Sequence, residues 1–249
     1  MDFIYILLLF IIGIVAGILN VMAGGGSALT LPALIFLGLD SALANGTNRV
    51  AILIQNVFAI LSFRQQKVHE FKTSLQMALW TVPGGIVGAI AAVKIDEQWF
   101  QRILAIVLIF VVLSMIFSPH QRITEFSNDS NTKKWLVYPA MFGIGFYGGF
   151  IQVGVGFLIM AALFHLLRLD LVFVNMHKVF IVFIYTLPAL GIFIWSDNVD
   201  WKWGLSLAAG NSCGAWWAAQ LAVKKGDRII RWILLIALFI MALKLLNLF

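Results

Sequence analysis

The chain has 249 residues, of which 62% are hydrophobic and only 11% charged, and its formal net charge is +6. Several apolar runs reach the ~20 residues that a helix needs to cross the ~30 Å hydrocarbon core of a bilayer. This composition excludes a soluble domain and predicts an all-α polytopic membrane protein. The basic residues lie in short loops, as is typical of cytoplasmic loops, so the positive charge gives no reason to expect a nucleic-acid partner.

The apolar segments fall into two sets of five. The first set covers residues 3–22, 28–38, 42–63, 73–93 and 99–118, and the second covers residues 135–153, 155–167, 171–194, 201–223 and 229–248. The first segment lacks a basic n-region and a cleavage site, which predicts a retained helix rather than a signal peptide. The second segment of each set is too short to span the bilayer. We expect each to form a half-helix or re-entrant hairpin with the segment before it.

Small residues occupy the break that precedes each short segment. The first break contains Gly24, Gly25, Gly26 and Ser27, and the second contains Gln152, Gly154 and Gly156. Glycines interrupt a membrane helix and let backbone N–H groups converge on an anion, and the helix that follows adds the positive end of its dipole. The breaks are therefore candidate anion-binding elements.

The two sets form an internal repeat. A gapless shift of 130 residues aligns Gly24 with Gly154 and Gly26 with Gly156. The loop at residues 64–72 is mainly basic, whereas its counterpart at residues 196–202 is mainly acidic, and this reversal predicts that the repeats are inverted. We predict a first repeat at residues 1–118, a cytoplasmic linker at residues 119–134 and a second repeat at residues 135–249, each with a glycine-broken hairpin and three spanning helices. This organisation is typical of secondary transporters, whose site lies between the halves.

Cations lie inside the apolar segments, and carboxylates do not. Arg49 and Lys178, with His177 beside the lysine, each lie about a turn or two into a segment. A charge at membrane depth costs roughly 2.5 to 3.5 kcal/mol on insertion scales, which indicates a functional role and favours an anionic substrate. The alternative is that Arg49 snorkels to the membrane interface.

Amides accompany both cations. Asn45, Asn48 and Asn56 share one helical face with Arg49, and Asn175 shares a face with Lys178. A guanidinium fork with amide donors suits an oxyanion such as sulfite, a sulfonate or a carboxylate. The alternative is that the asparagines hold helices together.

Other patterns predict structure rather than chemistry. Asp40 and Asp170 precede helical segments and are expected to act as N-caps. Pairs of glycines with small-xxx-small spacing predict close helix packing: Gly84 with Gly88, and Gly210 with Gly214. The histidines lack the partners of a metal site, and no nucleophile–base pair or ATP-binding loop is visible, so we expect no cofactor and no enzymatic activity.

The paired motifs resemble a known family. A glycine-rich break, a short apolar helix ending in Gly38-Leu39-Asp40, then Ala44-Asn45-Gly46-Thr47-Asn48, and a second copy in the other half resemble the TauE/SafE sulfite exporter family of bacterial membrane transporters. The resemblance implies a multi-pass protein of the bacterial inner membrane that moves sulfite, sulfoacetate or related organosulfonates. The second break departs from the family's glycine triplet, so we expect it to supply more side-chain donors than the first.

We therefore predict a secondary transporter that exports small sulfur-containing oxyanions by rocking between its halves. An anion channel, an uptake carrier for a small carboxylate and a membrane-embedded enzyme or scaffold are the alternatives. The expected partners are the substrate and the lipid bilayer, and a homodimer is left open. The predicted substrate-binding residues are Gly24, Gly25, Gly26, Ser27, Asn45, Thr47, Asn48, Arg49, Gln152, Gly154, Gly156, Asn175, His177 and Lys178.

Overall fold

The described part of the protein is a bundle of α-helices. The computed structural model describes residues 2–117, 134–167 and 169–245, and the side chains of residues 3–110, 135–167 and 169–224. These residues contain no strand. The helices are α1 (Asp2–Ala23), α2 (Ser27–Phe36), α3 (Ser41–Gln65), α4 (Phe71–Lys94), α5 (Glu97–Phe117), α6 (Val137–Phe150), α7 (Val155–Leu167), α8 (Leu171–Trp195) and α9 (Trp201–Leu245), and a 3-10 turn at Lys134–Leu136 precedes α6.

The lengths of the helices confirm the predicted all-α membrane architecture. Four helices among the described residues are long and apolar enough to cross a membrane, namely α1, α3, α4 and α8. The two short segments form α2, with 10 residues, and α7, with 13 residues. At 1.5 Å per residue they cover roughly 15 to 20 Å, which is less than the hydrocarbon core. The two segments predicted to be too short to span a bilayer therefore form short apolar helices.

The predicted boundary between the last two segments is wrong. We expected residues 201–223 and 229–248 to be separate segments joined by a basic loop, but Trp201–Leu245 is one continuous helix. Charged residues around Gly226 are disfavoured in hydrocarbon, yet lysine and arginine are good helix formers. A single glycine costs only about 1 kcal/mol in a helix, and no proline interrupts this stretch. The predicted linker at residues 119–134 lies outside the described residues except for Lys134.

One of the two predicted N-caps is confirmed. The Asp170 carboxylate accepts hydrogen bonds from the backbone N–H groups of Val172 and Phe173 at 2.8 and 3.0 Å. Asp40 occupies the corresponding position before α3, but its side chain makes no capping bond. Glu97 accepts from the Ser41 N–H instead, at 3.0 and 3.1 Å. A carboxylate from a distant helix therefore satisfies the N-terminus of α3, which local sequence could not reveal.

Helices of the first set pack mainly on helices of the second. α1 packs on α9 and α6 packs on α4, while α3 packs on α9 and α8 packs on α4. The glycine pairs make these contacts close, as predicted. A Cβ added to Gly84 or Gly88 would lie 2.2 or 2.1 Å from a carbonyl oxygen of α6, and one added to Gly210 or Gly214 would lie 2.0 or 2.1 Å from a carbonyl oxygen of α1. The two sets thus share one helical core.

Candidate functional site

The two glycine breaks meet inside the bundle, where Gly24 and Gly156 are both buried. A Cβ added to Gly24 would lie 2.4 Å from the carbonyl carbon of Gly156, and one added to Gly156 would lie 2.3 Å from the Cα of Gly24. The backbones are therefore in direct contact, which glycine alone allows. This contact brings the N-terminal ends of α2 and α7 side by side.

Left-handed backbone conformations turn the chain at both breaks. Gly24 has φ +80° and Gly154 has φ +72°. Gln152 has φ +63°, which is uncommon for a residue with a side chain. Such conformations cost of order 1–3 kcal/mol and concentrate at functional sites. The second break therefore directs the Gln152 side chain inward, whereas Ser27 is the polar side chain of the first break at the cavity.

The remaining glycines of the first triplet serve packing. A Cβ on Gly26 would lie 2.2 Å from the Ala16 carbonyl oxygen of α1. A Cβ on Gly25 would lie 2.7 Å from the Phe157 ring. The triplet thus lets α2 fold back against α1 and α7, whatever its role toward a substrate.

A narrow polar cavity lies beside the contact between the breaks. Six chain segments supply its walls: Asn20, Ser27, Ile52, Asn56, Gln152, Val155, Gly156, Lys178, Val179 and Val182. It has room for about one water molecule. The lining combines one cation, three amides and a hydroxyl, with no carboxylate. An oxyanion would match this lining chemically, but the walls must separate to admit it.

Lys178 is the cation of the cavity. Its Nζ donates to the Val21 carbonyl oxygen and to Asn175 Oδ1, each at 2.6 Å, and lies 3.6 Å from Met160 Sδ. Val21 belongs to the last turn of α1, whose carbonyls carry the negative end of the helix dipole. Lys178, which belongs to the second set, therefore binds the C-terminal end of α1, which belongs to the first set.

The amides around Lys178 are only partly satisfied. Asn175 Nδ2 and Gln152 Oε1 are buried without a hydrogen-bond partner, and Gln152 Nε2 lies 3.5 Å from Thr186 Oγ1. Asn56 Nδ2 donates to the Ile52 carbonyl oxygen at 2.8 Å, and Asn20 Nδ2 donates to Gln55 Oε1 at 3.2 Å. Unsatisfied buried amide groups cost free energy unless a ligand or water pairs with them. Of the two unpaired groups, Gln152 Oε1 belongs to a residue that lines the cavity, and a polar ligand there would pair with it.

Arg49 is also fully buried, but it does not line the cavity. Nη1 donates to the Gly148 carbonyl oxygen at 3.1 Å and Nη2 to the Gly149 carbonyl oxygen at 2.5 Å. The guanidinium lies 4.7 Å from the centroid of the Phe193 ring. The side chain therefore caps the C-terminal end of α6 rather than snorkelling to an interface.

The neighbours of Arg49 hold helices together. Asn45 Nδ2 donates to the Phe150 carbonyl oxygen at 2.7 Å, which satisfies another carbonyl at the end of α6. Thr30 Oγ1 donates to Asn48 Oδ1 at 2.7 Å, which joins α2 to α3. Thr47 Oγ1 accepts from the Asp200 N–H at 2.8 Å, at the loop before α9. These contacts favour the structural alternative for the asparagines of α3.

The residues predicted to share one face of α3 contact two different regions, because they lie at different positions along the helix axis. Asn45 and Asn56 lie on the same side of the helix, but eleven residues separate them. At 1.5 Å per residue this is roughly 16 Å along the axis. Arg49 and Asn45 therefore reach the end of α6, whereas Ile52 and Asn56 reach the cavity.

The structure thus gathers four of the predicted site residues at the cavity: Ser27, Gln152, Gly156 and Lys178. It adds Asn20, which sequence reasoning missed, and Asn56, which we placed on the face of Arg49 without assigning it to the site. Asn20 is the one amide in the apolar run at residues 3–22, and it lies four residues before Gly24. A lone amide so close to a glycine break is the signal that could have identified it.

Broken helices that meet at a buried polar cavity inside an apolar bundle are the architecture of secondary membrane transporters. Comparison with known proteins defines the family. The chain belongs to the TauE/SafE sulfite exporter family, whose family model, described as sulfite exporter TauE/SafE, matches residues 9–245. The resemblance seen in the sequence motifs is therefore confirmed over nearly the whole chain.

The relatives are named as transporters. A protein of Haemophilus influenzae named "Probable membrane transporter protein" is 28% identical over 243 residues, covering 95% of this chain and 92% of that protein. A protein of a Sinorhizobium species named "Probable membrane transporter protein ORF9" is 29% identical over 245 residues, covering 96% and 91%. The Escherichia coli K12 "Probable membrane transporter protein YfcA" is 27% identical over 241 residues, covering 96% and 88%. No solved structure matches the chain.

Proposed function

We propose that this transporter exports small sulfur-containing oxyanions, such as sulfite, sulfoacetate or a related organosulfonate, across the bacterial inner membrane. The observation that carries the proposal is the lining of the cavity, in which Lys178 is accompanied by Ser27 and three amides, and which lacks an acidic residue. The ammonium supplies the opposite charge, and the amides and hydroxyl supply the directional hydrogen bonds that a dehydrated oxyanion requires. The printed name of the family supports sulfite as the first anion to test.

We propose alternating access between two inverted repeats, residues 1–118 and 135–249, as the transport mechanism. The pairing of α1 with α9 and of α6 with α4 supports it, because exchanging the two sets reproduces the same pattern of neighbours. The walls of the cavity come from both sets and leave room for about one water molecule. A closed site favours a carrier, whose walls move, over a continuously open anion channel.

Flux measurements on the purified protein in proteoliposomes test the proposed function. Labelled sulfite, sulfoacetate, sulfate and acetate are loaded separately, and efflux is compared with that of Lys178→Gln vesicles and of protein-free vesicles. We expect efflux of sulfite or sulfoacetate well above the Lys178→Gln level. Transport of acetate alone would support the carboxylate carrier instead, and currents of many ions per opening in a bilayer recording would support a channel. Absence of flux for all four anions would contradict the proposal.

A further inference from the structure

His177 is a buried polar group that the anion cavity does not use. It precedes Lys178 on α8, but its ring faces α4. Nδ1 lies 2.7 Å from Ser74 Oγ, while Nε2 has no hydrogen-bond partner and lies 3.8 Å from Glu70 Oε2. The Glu70 side chain is 51% exposed, whereas the histidine side chain is fully buried. The carboxylate therefore connects the buried ring to solvent.

The contacts of the His177 ring differ between its protonation forms. Ser74 Oγ also lies 3.1 Å from the Glu70 carbonyl oxygen, one turn earlier in the chain. If the hydroxyl donates to that carbonyl, Nδ1 must carry the proton that bonds to Oγ. A neutral ring then presents its bare Nε2 to a carboxylate, so that two acceptors face each other.

The other neutral tautomer carries its proton on Nε2, facing the carboxylate. If the hydroxyl donates to Nδ1, it no longer donates to the Glu70 carbonyl oxygen, because a hydroxyl has one hydrogen, but that oxygen still accepts from the Ser74 backbone N–H at 3.1 Å. Only the imidazolium has an N–H on both nitrogens. In that form Nδ1–H donates to Ser74, Ser74 donates to the Glu70 carbonyl, and Nε2–H points at the Glu70 carboxylate. A proton on Nε2 faces the Glu70 carboxylate, 3.8 Å away, in both the Nε2–H tautomer and the imidazolium, and only the imidazolium pairs opposite charges there.

We infer that His177, Ser74 and Glu70 form a proton-binding site that is linked to anion binding at Lys178. The inference rests on the proposed function. Glu70 on α4 is the charged group that faces the ring, and Lys178 on α8 turns instead to Val21. No other charged side chain among the described residues bonds to the ring. A proton taken up at Nε2 adds positive charge one residue from Lys178 and draws α4 and α8 together, two helices that pack against each other.

The sign of the linkage follows from charge. Protonation adds a positive charge near an anion site, so the anion binds more tightly as the pH falls through the range in which histidine titrates. Linkage is reciprocal, and anion binding therefore promotes proton uptake. One linked proton changes the affinity by up to about tenfold per pH unit.

The test measures sulfoacetate binding by calorimetry in nanodiscs from about pH 8 to about pH 6, a range in which a sulfonate stays ionised. Wild-type affinity is expected to rise several-fold as the pH falls, and His177→Gln is expected to remove this dependence. His165→Gln is the matched control, because His165 is exposed on α7 and should leave the dependence intact. Glu70→Gln should weaken it.

Ring-nitrogen NMR of protein labelled at its 4 histidines provides a second readout that does not depend on transport. The resonance missing from His177→Gln identifies the ring, and sulfoacetate should shift its titration toward higher pH. A pH dependence that is equal in wild type and His177→Gln, or a His177 ring that does not respond to the anion, would overturn the inference while leaving the proposed function standing. Absence of sulfoacetate binding at every pH would overturn both for this anion class.

Discussion

The two buried cations lie in different surroundings. Arg49 donates from Nη1 and Nη2 to two carbonyls at the end of α6 and stacks on an aromatic ring, while its Nε is buried without a partner. Lys178 also caps a helix end, at Val21, but it borders a cavity in which Gln152 Oε1 has no partner. Polar atoms without partners occur near both cations, so the comparison teaches that the difference lies in access to space: Lys178 borders a cavity, whereas Arg49 is packed against the end of α6. We therefore propose that Arg49 is a structural brace and that Lys178, beside the cavity, is the anion ligand.

The braces are reciprocal between the two sets of helices. Arg49 on α3 holds the C-terminal end of α6, and Lys178 on α8 holds the C-terminal end of α1. The last carbonyls of α1 and of α6 thus each accept hydrogen bonds from a cation of the other set. The positive charge compensates the negative end of the helix dipole. A substrate that recruits Lys178 would release α1, whereas Arg49 would keep α6 attached.

The largest expected effect comes from the backbone contact between Gly24 and Gly156, where the two glycine breaks meet. Gly156→Ala places a Cβ 2.3 Å from the Gly24 Cα, so the two breaks must separate and the fold must shift. We expect little folded protein, measured as monodisperse yield after detergent extraction. Gly143→Ala is the matched control, since a Cβ at that α6 position meets nothing within 4 Å. Equal yields from the two variants would show that the contact between the breaks is dispensable.

Arg49→Gln should mainly lower stability. Bonds to charged groups contribute about 1.5–3 kcal/mol each, and the substitution leaves buried carbonyls of Gly148 and Gly149 without their donor. We expect the free energy of unfolding to fall by about 2 kcal/mol or more, seen as an earlier thermal transition in detergent. Arg49→Lys should recover part of the loss, because an ammonium can still donate to a carbonyl. Unchanged stability in Arg49→Gln would mean that the guanidinium is not a brace.

Lys178→Gln should mainly lower transport. Removing the charge is expected to reduce the initial rate of sulfite efflux by at least about tenfold, the scale of one charge-assisted hydrogen bond. Its effect on the thermal transition should be smaller than that of Arg49→Gln, because Lys178 donates to one helix-end carbonyl and Arg49 donates to two. Wild-type flux by a folded Lys178→Gln protein would contradict the role assigned to this lysine.

The two asparagines of α3 offer the smallest and cleanest contrast. Asn45→Ala removes a bond to the Phe150 carbonyl, so it should lower the thermal transition with little effect on the KM for the anion. Asn56→Ala removes a bond within its own helix and a polar group of the cavity, so it should raise the KM about two- to tenfold with little loss of stability. If both substitutions changed only the thermal transition, or both changed only the KM, the proposed difference between the end of α6 and the cavity would be wrong.

Much of the fold was predictable from local patterns. The apolar segments predicted at residues 42–63, 73–93 and 171–194 match α3, α4 and α8 to within two residues at each end, because hydrophobic runs and their polar boundaries are local features. The continuity of α9 was missed, since basic residues disfavour hydrocarbon without breaking a helix. The half-helices followed from segment length alone.

The division of the site was not predictable from these patterns. Helical spacing placed Arg49 and Asn56 on one face, but it does not show which part of the protein each residue contacts. The carbonyls that receive Arg49 lie about a hundred residues away in the chain, and the carboxylate that caps α3 comes from Glu97. The sequence around a residue does not show which hydrogen-bond partner tertiary packing will bring to it. The cavity forms where the two breaks meet, and the sequence does not show that they meet.

Binding of sulfite by calorimetry to purified Arg49→Lys and Lys178→Gln, compared with wild type, tests the division between brace and ligand most directly. The account predicts near wild-type affinity for Arg49→Lys, provided that it is folded, and affinity weaker by at least about tenfold for Lys178→Gln. Loss of binding in Arg49→Lys together with wild-type affinity in Lys178→Gln would contradict the account and place the anion at the end of α6.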